Sequence, residues 1–294
     1  MTDPTSTRSP ARDLWLRIET IHAVTYFGSE TQEAAARAGL ERFWVGYFAL
    51  RAAPLGAVDA GVVTAVFANF APAFVRRWVP ACWTAAEPAT ALRARADGAS
   101  ATLRSVVSDG EAAALGTAEV LDRAIVAADP TGRPLFAANR DLTLPDDPVA
   151  ALWQRCTTLR EHRGDGHVAA LVAAGLSGLD AHVLIAADHG TDPEDLQRTR
   201  GWGADDWAAA AEGLAARGLL DPGDDDRPAR LTPTGRALRD EVEATTDRLA
   251  AAPLAVWSEA ETREVLDRLL PVARAVSAAG ILRYPNPIGL PPIP

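Results

Sequence analysis

Between Leu159 and Val168 the chain carries Arg160, Glu161, His162, Arg163, Asp165 and His167, with glycines at 164 and 166. These types could do proton-transfer chemistry. An imidazole titrates near pH 6.5 and exchanges protons close to neutrality. Glu161 or Asp165 could orient a ring, and the Arg160 or Arg163 guanidinium could hold a carboxylate or enolate. Two further pairs are each four residues apart, His22 with Tyr26 and Tyr47 with Arg51. On a helix such pairs share a face. A buried arginine on an apolar helix needs an acidic side chain or an anionic ligand as partner.

Together these residues describe one pocket. His22, Glu161, His162, Asp165 and His167 are its candidate catalytic residues. Tyr26, Tyr47, Arg51, Arg160, Arg163 and Asn69 are its candidate ligand contacts, with Trp44, Phe48 and Phe70 lining the apolar part. The same charges could instead form a helix-breaking Arg/Asp network joining two halves of the chain, which Asp165 between two glycines suits, or a solvated turn. Types and spacing leave both readings open. His162 and His167, five apart, do not stack as an i, i+4 pair does, so no metal site is expected. No nucleophile elbow, dinucleotide fingerprint or kinase signature occurs, and no cofactor follows.

The elements that must position these groups read as helices. Residues 11–28 have apolar positions at helical spacing and Gly28 as a stop. A second helix is expected from about Ser29 to Ala53, and others over 89–107 and 111–127, with a turn at Asp109-Gly110. Residues 141–148, rich in Pro and Asp, make the expected boundary between a unit at 11–145 and one at 146–280, followed by a Pro-rich tail at 281–294. Pro148 suits the first turn of a helix leading into the charged stretch. Helices are further expected over 167–187, 192–198 and 204–217, and from about 233 to 249.

Composition narrows the function classes. With 294 residues, 48% hydrophobic and 23% charged, the chain can bury a full core. All its basic residues other than histidine are arginines, which excludes Schiff-base chemistry and a Walker-type phosphate loop. The net charge of −10 is the wrong sign for a surface that meets phosphate. No apolar run approaches the roughly 18 residues of a membrane span. Met1–Arg12 is polar, without a signal core, and Cys82 and Cys156 have no metal-type spacing. A cytoplasmic location and no membrane partner are expected.

Residues 213–220 (Gly-Leu-Ala-Ala-Arg-Gly-Leu-Leu) and 231–238 (Leu-Thr-Pro-Thr-Gly-Arg-Ala-Leu), with Thr246–Leu249 and the amphipathic 259–270, resemble the multiple-antibiotic-resistance regulator (MarR) type of winged helix-turn-helix. The whole chain resembles an actinobacterial family of helix-turn-helix-like proteins, most closely at Tyr47–Gly56, Asn69–Pro72 and Arg160–His167. The resemblance implies a mostly α fold with a winged helix-turn-helix C-terminal unit. Shifts of 121 and 124 residues align 49–55 with 170–176 and Trp78 and Trp83 with Trp202 and Trp207. That suggests a related or degenerate N-terminal unit, hence a pseudo-dimer with a cleft for a ligand. The family's usual partner is DNA, read by the second helix of the motif. Here that helix begins Ala204-Asp205-Asp206, and the wing offers Asp221, Asp224, Asp225 and Asp226 against Arg227 and Arg230. DNA binding is therefore disfavoured. The expected partner is a small organic molecule with an anionic or carbonyl group, bound passively or turned over by a secondary-metabolism isomerase, cyclase or lyase. A ligand-responsive regulator is the alternative, and self-association is left open.

Overall fold

The computed structural model describes residues 9–107, 111–223, 227–286 and 288–294. The expected turn at Asp109-Gly110 and the wing residues Asp224, Asp225 and Asp226 lie outside them. The protein is mostly helical. Helix α1 (Pro10–His22) starts behind Ser9, whose hydroxyl accepts from the Arg12 N–H, and the chain then bends at Ala23 into α2 (Val24–Phe27). The single helix expected after it is also two, α3 (Ser29–Arg37) and α4 (Phe43–Ala52), broken at Gly39-Leu40. Then come α5 (Ala60–Val66), α6 (Pro72–Ala85) and α7 (Pro88–Val106), packed around Phe48, Phe67, Phe70 and Val75. Three shorter helices follow, α8 (Glu111–Leu115), α9 (Ala118–Ala127) and α10 (Pro134–Arg140).

Helix α11 (Pro148–Ala173) is the axis of the molecule. Asp147 caps it, accepting from the Val149 and Ala150 N–H groups, and Pro148 occupies its first turn as expected. The helix runs unbroken through Gly164 and Gly166, so the charged stretch is neither a turn nor a helix break. Each glycine costs about 1 kcal/mol against alanine in a helix. Tertiary packing around α11 outweighs that, since buried residues lie along most of its length. The missing side chains also admit guanidinium groups: a Cβ at Gly166 would lie 2.7 Å from Arg133.

The helix expected over 167–187 is interrupted as well. α11 ends at Ala173, and α12 (Gly178–His189) begins anew behind a capping box of Ser177 and Asp180. Next are α13 (Pro193–Arg200), α14 (Ala204–Ala216), an antiparallel pair β1 (Leu220–Asp221) and β2 (Arg230–Leu231), and α15 (Pro233–Ala251). This unit closes on Leu171, Leu176, Val183, Leu184, Leu214 and Val242. α16 (Glu259–Ala278) packs back into the core beside α1, placing Val265, Leu269 and Val272 with Ile18 and Ile21.

The largest core cluster draws on both sides of residues 141–148, joining Ile18, Ile21, Leu103 and Leu121 to Trp153, Val265 and Leu269. The residues after 280 are packed, not trailing: Leu282 and Leu290 are buried against Trp15, Leu16 and Ala23. Trp78 and Trp83 both lie within α6, whereas Trp202 lies in the turn before α14 and Trp207 inside it. Among the described residues no single helix is long and apolar enough to cross a membrane.

Candidate functional site

A helix turns about 100° per residue, so the six charged and polar residues within 160–167 on α11 point in several directions. Thr157, Arg160, Glu161, Gly164 and Val168 follow one another at three- and four-residue spacing and face the N-terminal helices. His162 and Asp165 face α10. Arg163 and His167 face α15.

The first face builds a buried polar chain. Glu161 is 1% exposed and accepts from Arg51 Nε at 3.2 Å and Arg160 Nη1 at 2.8 Å. Arg160 Nε also donates to Glu19, at 2.9 Å to Oε2, which in turn accepts from Trp15 Nε1. Burial alone would raise the Glu161 pKa, but Arg160 and Arg51 outweigh it and hold the carboxyl at about 2. Two arginines and two glutamates therefore pair off internally. Beside them His22 Nδ1 meets Thr157 Oγ1 at 3.0 Å and His22 Nε2 meets the Tyr26 hydroxyl at 3.0 Å. Burial, then Arg160, lowers the His22 pKa well below the usual imidazole value, and burial raises the Tyr26 phenol. Near neutrality this is a neutral imidazole against a protonated phenol.

Internal pairing does not close the space. A cavity of about 740 Å³ lies between α2, α4, the loop after α5, α11, α12, α13 and the segment after α16. The loop Phe67–Ala71 seats on the α13–α14 junction through Ala71 N–H to Arg200 O (2.9 Å) and Trp202 Nε1 to Asn69 O (3.1 Å). Two glycines permit that approach. A Cβ at Gly178 would lie 1.8 Å from Ala68 O, and one at Gly201, where φ is +76°, would lie 2.3 Å from Phe74 Cβ.

Tyr26, Trp44, Tyr47, Arg51, Asn69, Arg160 and His167 line the cavity. The Arg51 guanidinium stacks 4.1 Å from the Phe67 ring centroid, and Arg51 Nη1 reaches the Tyr47 hydroxyl at 3.5 Å. His167 Nδ1 is tied to Thr246 Oγ1 at 3.0 Å, and burial lowers its pKa. Phe48 and Phe70 lie behind this wall, within 6.3 and 5.9 Å of the Trp44 ring centroid. His22 stands behind Tyr26, and Glu161 behind Arg51 and Arg160 as their counter-ion.

Three residues expected in the pocket lie elsewhere. His162 packs edge-on against Phe136, with ring centroids 4.9 Å apart, and burial and Arg133 lower its pKa to about 3. Asp165 accepts the Phe136 N–H at 2.9 Å, so it serves the start of α10, and burial pushes its carboxyl up to about 7. Arg163 pairs with Glu243 and Asp247 of α15 and stacks 4.4 Å from Trp15. Sequence spacing missed other wall residues: Gln32, His182, Arg200 and the segment from Gly280 to Asn286. Nothing in the local pattern marks them, because they reach the site only through tertiary packing.

The arrangement defines a mostly helical protein with a cavity walled by its N-terminal helices, α11, α12 and α13. A family model described as a helix-turn-helix family matches residues 11–283, and the chain belongs to that family. Comparison with curated proteins and with solved structures gave no match.

Proposed function

We propose that the protein binds a small organic molecule, aromatic in body and carrying an anionic or carbonyl group, in the cavity between its N-terminal helices and its helix-turn-helix unit. The carrying observation is the lining of the 740 Å³ space: aromatic rings beside five arginines, of which 51, 160 and 198 pair with Glu161, Glu19 and Asp195 while Arg200 and Arg283 pair with no carboxylate among the described residues. Ligand sites are typically apolar clefts of roughly 300–1,000 Å³ with a few convergent polar groups. A bound carbonyl could accept from the Tyr26 hydroxyl with His22 behind it, and the neutral His167 ring could take a proton. An isomerase, cyclase or lyase would use those groups. A passive binder would need only the contacts.

The second reading, a MarR-like regulator that binds DNA, draws on the family and on the order of α12 to α15 with its β-hairpin. The exposed residues of α14 oppose it, since Asp205, Asp206 and Glu212 would meet phosphate with like charge. On our reading the winged helix serves as scaffold. The test is fluorescence titration with N-phenyl-1-naphthylamine, a neutral aromatic dye, on wild type and on Val168→Trp, which sets an indole into the cavity from α11. Saturable binding that is lost in the variant is expected. No saturable binding, or binding indifferent to Val168→Trp, would overturn the reading. Salt-sensitive, sequence-specific duplex binding lost on altering Asp205, Asp206 and Glu212 would favour the regulator.

A further inference from the structure

The wall supplied by α12 and α13 carries two polar groups that the protein leaves incomplete. His182 is 2% exposed, and neither ring nitrogen has a hydrogen-bond partner. The Asn69 backbone is close enough to raise its pKa slightly, yet not in hydrogen-bonding geometry. Arg200 donates through Nη1 to Thr199 O at 3.2 Å, but its Nε is buried without a partner. Among the described residues Arg200 pairs with no carboxylate, whereas Arg51 and Arg160 both do. Its guanidinium lies 4.9 Å over the Phe70 ring; burial and then Arg200 lower the His182 pKa, and burial, with Arg51 adding to it, lowers that of Arg200. The other buried side-chain atoms without partners, on Thr25, Trp78, Arg163 and Thr191, do not line this cavity.

Native proteins satisfy nearly all buried polar groups, so exceptions gathered on two wall residues mark where a ligand atom would complete them. The unpartnered nitrogens are themselves closed off from solvent, so His182 meets such an atom only after its ring turns, while the Arg200 side chain already lines the space. The chemistry of the two groups says which kind. A guanidinium only donates, in a planar fork that matches an oxyanion. Burial and then Arg200 hold His182 at about 3, so it is neutral and offers one N–H. Arg283 also lines the cavity without a carboxylate partner among the described residues, but it is exposed, so the unpaired charge on this wall is the single one of Arg200. It suits a singly charged oxyanion, since the second charge of a phosphate dianion would find no partner on this wall.

We infer that Arg200 and His182 form the anchoring subsite for a singly charged oxyanion, a carboxylate or sulfonate, on an aromatic ligand whose rings lie against Trp44, Tyr47 and Phe67. This rests on the cavity being a binding site, as proposed above. The probes are 8-anilinonaphthalene-1-sulfonate and N-phenyl-1-naphthylamine, which share a ring system and differ by the sulfonate. Both are titrated by fluorescence into wild type, Arg200→Gln, Arg200→Lys and Val168→Trp. The inference expects Arg200→Gln to weaken the sulfonate dye at least tenfold and the neutral dye less than twofold. Arg200→Lys, which keeps the charge but not the fork, should fall between. Neutral-dye binding is the fold control for each Arg200 variant. Equal sulfonate-dye affinity in wild type and Arg200→Gln, with the neutral dye still bound, overturns the subsite and leaves the cavity reading standing. Failure of both dyes to bind wild type, or indifference of both to Val168→Trp, overturns the cavity reading and the subsite with it.

Discussion

Replacing Glu161 by Gln tests whether the buried ion-pair chain stabilises the fold. The substitution keeps the volume and removes the charge from a side chain that is 2% exposed. Arg160 retains Glu19, but Arg51 loses its only carboxylate within ion-pair distance among the described residues. Removing one partner of a buried pair costs about 3–5 kcal/mol, and the survival of Arg160–Glu19 puts this case near ~3. Linkage gives the same size. The folded carboxyl sits at about 2, against ~4.3 for unfolded glutamate, and at ~1.4 kcal/mol per tenfold the gap is worth ~3 kcal/mol. Because the folded value is the lower one, this contribution is complete above about pH 4.5 and is lost as pH falls through about 2. Urea unfolding of wild type and Glu161→Gln at pH 7, 5 and 3 should show a deficit of ~3 kcal/mol at the first two, roughly halved at pH 3. A deficit below ~1 kcal/mol at pH 7, or one unchanged from pH 5 to 3, would refute the reasoning. The double variant Arg51→Met/Glu161→Leu should recover more than half the loss, since apolar replacement of a buried pair is often neutral.

Three further outcomes are expected. Asp165→Asn keeps an acceptor for the Phe136 N–H without the charge. With its folded pKa at about 7, above the unfolded ~3.9, the ionised carboxylate costs stability that is absent below about pH 4 and complete above about 7. The variant should therefore melt no lower than wild type at pH 8, with its relative advantage shrinking toward pH 5, and a clear loss at pH 8 would contradict this. Gly201→Ala puts a Cβ against Phe74 at a positive φ, so denaturant unfolding should show a loss of about 2–4 kcal/mol and neutral-dye binding should weaken. Truncation after Gly280 removes Leu282 and Leu290, each worth at most about 1.5–3 kcal/mol of burial. It should lower the melting temperature and weaken dye binding together, and an unchanged protein would show that the segment is not a wall of the site.

Local physical chemistry made part of this protein legible in its amino-acid order. Helical periodicity, Pro148 in a helix's first turn and the capped segment at 192 mark elements that occur, whereas the new start behind Ser177 goes unread. The four-residue spacings of His22 with Tyr26 and of Tyr47 with Arg51 become hydrogen-bonded pairs, because neighbours on one helix face meet whatever packs around them. Sequence could not decide what lies across from each face. The six charged and polar residues between Leu159 and Val168 look like one knot on paper, yet the helix spreads them toward three neighbours. His162, Arg163 and Asp165 go to structural partners, and only Arg160 and His167 reach the cavity. Likewise His182, Arg200 and the segment after Gly280 meet Trp44 and Tyr47 across more than 100 residues of chain. Composition and periodicity determined that the chain folds into helices; the packing of those helices, set by close approaches such as Gly178 on Ala68, decided which charges pair and which face an open space.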